Sequence, residues 1–403
     1  MRRRPGIVLL SLLVVGAGWF RSRSARAAAR EEKVPNPAAV VAQERWIRDQ
    51  DIAFYAARAA RDPSGAIDLA RLGALYLQRH RESGSSSDLA SAEEAGLRSA
   101  ANRDRNNFGA WQVVAATRVA RHRFLEALVA VDRMIAVDPG HAGARAAKGE
   151  ILLELGRYPE ADALFTGLTL HRSEPNVAAR YARWLELRGR AGRAARLLED
   201  TRVTAAAGVA VPGEQLAWLD LRLAELALKF EDHATAIRWA DSGLARVPDD
   251  ARLLTAKARA LLGLGRVAPA MALADSALGI RFDPATLIVL VNGLEQSGDT
   301  GLAAEYRRVL ASNLAGDPAN IHRAWSLYFL DHGGNADSIA AVARNDLVVR
   351  QDVYGFDLYA WALFRAGRYD EASKAMAKAR AAGTQDPLLD RHAAAIGAAV
   401  AKS

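Results

Sequence analysis

A spacing of 34 residues, repeated over most of the chain, constrains its fold more than any other property. A self-similar period of that size belongs to stacked supersecondary units, each too small to bury its own apolar face, rather than to one core wrapped by unlike elements. Frames start at Phe108, Ala142 and Asn176, and after seven inserted residues at Ala217, Ala251, Ala285, Ala319 and Val353. Position 20 of these frames is Ala127, Ala161, Ala195, Ala236, Ala270, Ala304, Ser338 and Ala372. Alanine is abundant here, so that column alone proves little. Position 8, however, is also small in Ala115, Gly149, Ala224, Ala258, Ser326 and Ala360, and position 15 is Gly156, Gly265, Gly333 and Gly367.

These columns are what two packed antiparallel helices require. The segments between turns are rich in Ala, Leu, Arg and Glu, the good helix formers, and lack the alternating β-branched runs of strands, so the expected class is all-α. Small residues at positions 8 and 20 let the two helices approach, while glycine at 15 ends the first one in a left-handed conformation. Prolines mark the seams: Pro139, Pro248, Pro284, Pro318 and Pro387 fall near frame ends, and Pro159 and Pro269 in the first turn of a second helix, where a missing amide costs least. The pair Asp249-Asp250 before the Ala251 frame reads as a helix cap rather than a catalytic carboxylate dyad.

The N-terminus differs from the array. Arg2, Arg3, Arg4 and Pro5 precede 15 uncharged residues, Gly6 to Phe20, and Ala25-Arg26-Ala27 follows as a small-residue site. That order describes a secretory signal peptide over residues 1–29 or, if uncleaved, a membrane tether through residues 6–20; a buried apolar helix is the third reading. Pro5 and Gly6 directly after the arginines do not fit a twin-arginine signal. Residues 30–41, with Pro35 and Pro37, read as a linker. The leader also explains the charge. The chain has 54 Lys+Arg against 46 Asp+Glu, and cleavage after Ala27 would remove six arginines and no acid, leaving 48 against 46. The remaining body has no basic run of the kind a phosphate backbone attracts, so no nucleic-acid partner is expected. With no cysteine, disulfides, zinc ribbons, thiol nucleophiles and lipid-modified N-terminal cysteines are excluded.

The strings Gly156-Arg157-Tyr158-Pro159-Glu160-Ala161, with Phe165 after them, and Gly367-Arg368-Tyr369-Asp370-Glu371-Ala372 resemble the turn and second helix of the tetratricopeptide repeat. Leu72-Gly73-Ala74-Leu75-Tyr76 is similar to that family's first helix and implies an earlier repeat near Ala66, with Ser83-Gly84-Ser85-Ser86-Ser87 as an inserted loop before Phe108. The resemblance covers residues 66–386 and implies an α-solenoid of about nine antiparallel helix pairs, with frames near 66, 108, 142, 176, 217, 251, 285, 319 and 353. It is weakest in the Asn176 and Ala319 frames. Residues 42–65 and 387–403 are expected as capping helices.

Such a solenoid implies a right-handed superhelix whose concave groove binds partner proteins as extended peptides or helices. The family's groove positions, 2, 5, 9 and 12, carry over to Arg180, Trp184, Trp218, Arg252, Arg259, Arg323, Tyr354, Asp357 and Trp361. Trp111 and Trp325 fall at packing positions instead. A frame error of one residue would send Trp184 or Trp361 into the core.

No chemistry is legible beside this. The histidines at 80, 122, 141, 171, 233, 322, 332 and 392 form no helical metal pair, and neither a nucleophile elbow nor a Gly-Lys phosphate loop occurs. Gly263-Leu264-Gly265-Arg266-Val267-Ala268 follows a helical segment, so it reads as a repeat turn rather than a dinucleotide loop. No catalytic residue, cofactor or metal is expected. The preferred function is a non-catalytic exported scaffold, periplasmic, secreted or membrane-anchored, in an envelope assembly, secretion or polysaccharide-export complex. The alternatives are a glycan-binding or catalytic envelope protein and a cytoplasmic regulator.

Overall fold

Residues 36–208, 211–316 and 323–402 are described by the computed structural model. The expected leader, the first part of the linker and the Ala319 frame start lie outside these residues. The described residues form 20 α-helices and one 3-10 turn, with no strand among them. Helix α1 (Pro37–Arg61) precedes nine pairs: α2 (Ala66–Ser83) with α3 (Ser86–Asn102), α4 (Phe108–Ala120) with α5 (Phe124–Val137), α6 (Ala142–Glu154) with α7 (Tyr158–Gly167), and α8 (Pro175–Leu187) with α9 (Ala191–Ala206). Then come α10 (Gly213–Lys229) with α11 (His233–Leu244), α12 (Ala251–Gly263) with α13 (Val267–Ile280), α14 (Pro284–Ser297) with α15 (Thr300–Gly316), α16 (Arg323–Asp331) with α17 (Ala336–Asp346), and α18 (Val353–Arg365) with α19 (Tyr369–Arg380). Helix α20 (Pro387–Val400) closes the array.

The small-residue columns sit where the paired helices touch. Ala127, Ala161, Ala236, Ala270 and Ala372 are all 0 % exposed. Gly149 faces the Phe165 ring so closely that an added Cβ would lie 2.7 Å from it. Such contacts leave no room for a larger side chain without moving a helix. The position-15 glycines all take φ between +71° and +79°, and Gly265 does so in the α12–α13 turn, so the dinucleotide-like string is a repeat turn. Asp250 caps α12 by accepting from the amides of Arg252 and Leu253.

Three expectations change. The Asn176 and Ala285 frames begin one residue early, because Pro175 and Pro284 occupy the first helical position, where proline's fixed φ and absent amide fit best. In both repeats the buried alanine moves with the frame, to Ala194 and Ala303, and the left-handed glycine moves to Gly189 and Gly298. The Ser83–Ser87 stretch is not an inserted loop. Only Gly84 and Ser85 lie between helices, and the additional residues lengthen α2 and α3 to 18 and 17 residues, against 13 and 14 in α4 and α5. Finally, residues 37–41 already belong to α1, capped by the Asn36 side chain, rather than to a linker.

The superhelix is wound tightly enough for successive coils to touch. Three turns between paired helices, those of α2–α3, α6–α7 and α8–α9, meet the loop six units further along the chain. Gln351 N donates to Leu155 O (3.3 Å) and Val353 N to Tyr158 OH (2.8 Å), joining the α6–α7 turn to the loop before α18. In the same register Thr384 Oγ1 donates to Leu187 O (2.6 Å) and Arg188 to Ala382 O (2.8 Å), at the α8–α9 turn. Arg391 reaches Glu231 at the α10–α11 turn, Arg281 lies against Gly84, and Arg45 on α1 forms a two-pronged pair with Asp249 before α12. The chain therefore closes on itself around a hollow interior lined by the first helix of each pair.

Candidate functional site: the inner wall of the superhelix

Two cavities along the inner wall are large enough to hold ligand groups. The first, about 690 Å³, runs across α2, α4, α6 and α8. Ala74, Ala116, Val119 and Ala147 form an apolar floor over the buried Val113, Val131, Met134 and Ile151, and Gln78, Gln112, Glu150 and Arg180 a polar rim. The second cavity, about 510 Å³, gathers charged side chains from α6, α8, α10, α12, α16, α20 and the loop before α18, with Tyr354 of α18 among them.

The charges of the second cavity are mostly paired. Glu186 is central: Arg183 and Lys229 donate to it at 2.9 and 2.8 Å, and Arg222 stands 3.6 Å away. Burial alone would raise its pKa, but these three cations outweigh that and hold it down to about 2. Lys229 also donates to the Tyr354 hydroxyl at 2.5 Å, and the guanidinium of Arg323 stands 4.8 Å from the Tyr354 ring centre, that of Arg183 5.5 Å. Tyr354 is thus held among three cations. On the coil contact itself burial pushes the carboxyls of Glu154 and Asp352 above their usual range, although Arg350 lies beside both. Arg259 projects into the cavity with no partner among the described residues, and desolvation lowers its pKa.

The nine sequence-proposed groove residues do not form one surface. Arg259, Arg323 and Tyr354 line the second cavity, and Arg180 lines the first while donating to Glu150 at 2.8 Å. Arg252 lies at a separate, smaller cavity beside α1 and is locked onto Asp250 by two bonds, and Trp218 lines another with Arg81 and Glu214. Trp184 belongs to the core, 7 % exposed, with its ring stacked on Phe165 and its Nε1 donating to Asp162. The one-residue frame displacement explains this. Asp357 is also buried, clamped between Arg323 and His392, and these partners outweigh the upward push of burial and lower its pKa. Trp361 is half-buried, stacked on His392 at 4.1 Å, and donates to Asp331. Once the frame starts at Pro175, the groove positions of that repeat become Asn176, Ala179, Arg183 and Glu186, so two central residues missed from sequence were legible from proline placement alone.

No group of three or more His, Asp or Glu able to hold a metal ion occurs among the described residues. None of the helices there is long and apolar enough to cross a membrane.

Antiparallel helix pairs stacked at 34-residue intervals with small residues at their crossings define a helical solenoid. Residues 118–184 match the tetratricopeptide-repeat family model, so this part of the chain is similar to tetratricopeptide repeats. No curated protein matches the sequence. Solved structures similar to it include the Cut9–Hcn1 hetero-tetramer of the APC/C, at 16% identity and a TM-score of 0.49, over 61% of this chain and 46% of that one. The chain thus spans less than half the length of that relative. PilF of Pseudomonas aeruginosa is 18% identical with a TM-score of 0.42, over 52% and 92% of the two chains. A tetratricopeptide-repeat protein of Parabacteroides merdae is 10% identical with a TM-score of 0.34, over 81% and 98%. The fold supports a protein-interaction scaffold.

Proposed function

We propose that the protein is a non-catalytic scaffold that holds a segment of a partner protein in the groove across α2, α4, α6 and α8. The observation that carries this is the groove's apolar floor of small side chains with a polar rim, which suits the apolar face of a partner helix and gives its edges hydrogen-bonding partners. Export belongs to the same reading and rests on the sequence of residues 1–29: the array acts outside the cytoplasmic membrane, free if the leader is cleaved and tethered through residues 6–20 if it is not, within an envelope assembly, secretion or polysaccharide-export complex.

Gln112→Trp tests the groove, because Gln112 is exposed and lines the cavity, so a bulky ring there blocks occupancy without entering the core. Cross-linked partner recovery from envelope fractions falls in this variant while its thermal melt stays that of the parent. Unchanged recovery removes the groove from the function. A fusion of residues 1–40 to a reporter active only after export tests the localisation, and a silent reporter refutes it.

A further inference from the structure

One outer surface is built unlike the rest of the array. Along α1, Ala39, Ala42, Gln43, Trp46, Gln50, Ala53, Phe54 and Ala57 are all exposed, and their spacing puts them within one sector of the helix. No charge interrupts this stripe over five turns, a length of about 27 Å. Arg45 and Arg48 turn toward the array, to Asp249 and Glu82, whereas Asp49, Asp51 and Arg58, paired with Arg79, Arg71 and Asp68, remain about half exposed on either side of the stripe. Trp46 and Phe54 nonetheless stand 62 % and 55 % exposed, and Arg61, at the end of the same sector, is exposed as well. A sector free of charge that turns aromatic rings outward is an uncovered face, and the Arg58 guanidinium stands 5.6 Å from the Phe54 ring centre at its border.

We infer that this face of α1 lies on a lipid bilayer surface, with Trp46 and Phe54 entering the headgroup boundary. The inference rests on the reading that residues 6–20 tether the chain to a membrane. The uncharged run ends at Phe20 and Asn36 caps α1, so the link between them spans at most about 55 Å even when fully extended. Helix α1 is the first described element after that run and lies within reach of the bilayer. Its stripe offers a bilayer interface aromatic rings at two levels, with small and amide side chains between them and a basic residue at the edge of the sector. Lying flat, it would fix the axis of the repeat array relative to the membrane instead of leaving it on a loose leash.

The absence of cysteine gives a clean test. The full chain carrying Gln50→Cys is labelled with an environment-sensitive dye and reconstituted with vesicles of phosphatidylcholine containing a minor fraction of phosphatidylglycerol; Val203→Cys, exposed on α9, is the control. The expected result is that the chain floats with the vesicles and that the dye on α1 shifts to the blue and is quenched by lipid-borne quenchers, while the control does neither. Adding Trp46→Ser and Phe54→Ser, both at exposed positions, abolishes the shift while flotation persists. A chain that floats with its α1 dye still in water overturns this inference and leaves the tether standing. A chain that does not float overturns both. A blue shift that appears without vesicles and grows with protein concentration assigns the face to a second copy and also overturns it.

Discussion

The contact between successive coils makes a quantitative prediction about two glycines in equivalent positions. Gly156 and Gly265 both end the first helix of a repeat, with φ of +73° and +71°. At Gly265 an added Cβ meets nothing within 4 Å, whereas at Gly156 it would lie 2.1 Å from Gln351 O and 2.8 Å from Asp352 N. For Gly265→Ala only the left-handed strain counts, about 1–2 kcal/mol, offset by about 0.4–1 kcal/mol from a stiffer unfolded chain. The net loss is about 1 kcal/mol. Gly156→Ala adds a backbone clash that no rotamer change relieves, so residues 350–352 must move away. That displacement removes the Gln351–Leu155 and Tyr158–Val353 hydrogen bonds, about 1 kcal/mol each, and weakens the Arg350–Glu154 pair at 3.3 Å, worth at most about 1 kcal/mol. The total is about 3–4 kcal/mol. Urea unfolding of both variants, with small-angle scattering to read the separation of the coils, measures the difference. Equal losses in the two variants, with unchanged scattering, would refute the claim that the coils touch at this point.

Other substitutions address other parts of the argument. Ala270→Leu inserts a branched side chain at a helix crossing with no free space and costs about 1–3 kcal/mol in chemical denaturation, while Ala195→Leu, one residue off the buried column of its repeat, costs less. Asp250→Ala removes the cap of α12 and the partner of Arg252, lowering stability by about 1–2 kcal/mol. Glu186 has a folded pKa of about 2, below its unfolded value, so its contribution is present above the unfolded pKa near 4.5 and is lost as pH falls toward 2. Glu186→Gln therefore costs about 3 kcal/mol at neutral pH and flattens the acid limb of a pH-dependent melt, a limb that must remain unchanged if Glu186 is not the group responsible.

The legible and illegible parts of this chain divide by distance along the sequence. Within one repeat, size and φ constraints fall at fixed offsets, so the alanines and glycines reveal the helix pairs directly. Where a proline displaces a start by one residue, as at Pro175, every later position in that repeat turns by about 100°, which is enough to move Trp184 from wall to core. The contacts between coils were not legible. They join residues such as Tyr158 and Val353 that share no period, and their register depends on the small rotation added at each repeat. Arg259 and Tyr354 line the second cavity from frames whose helices begin at Ala251 and Val353 as expected, but Lys229, Arg350 and Asp386 line it from positions the groove rule does not contain.

An open solenoid is coupled only between neighbours, so it can melt from either end like a one-dimensional chain. Contact between coils six repeats apart changes that dimensionality. Each repeat in the overlapping part has neighbours along the chain and across it, as in a rolled sheet, and the C-terminal repeat is anchored at the middle of the array instead of hanging free. Folding must then bring together segments nearly 200 residues apart, such as Thr384 and Leu187, before the last repeats gain their full stability. Thr384 and Arg391, meeting Leu187 and Glu231 in the middle of the array, thereby lock the coil.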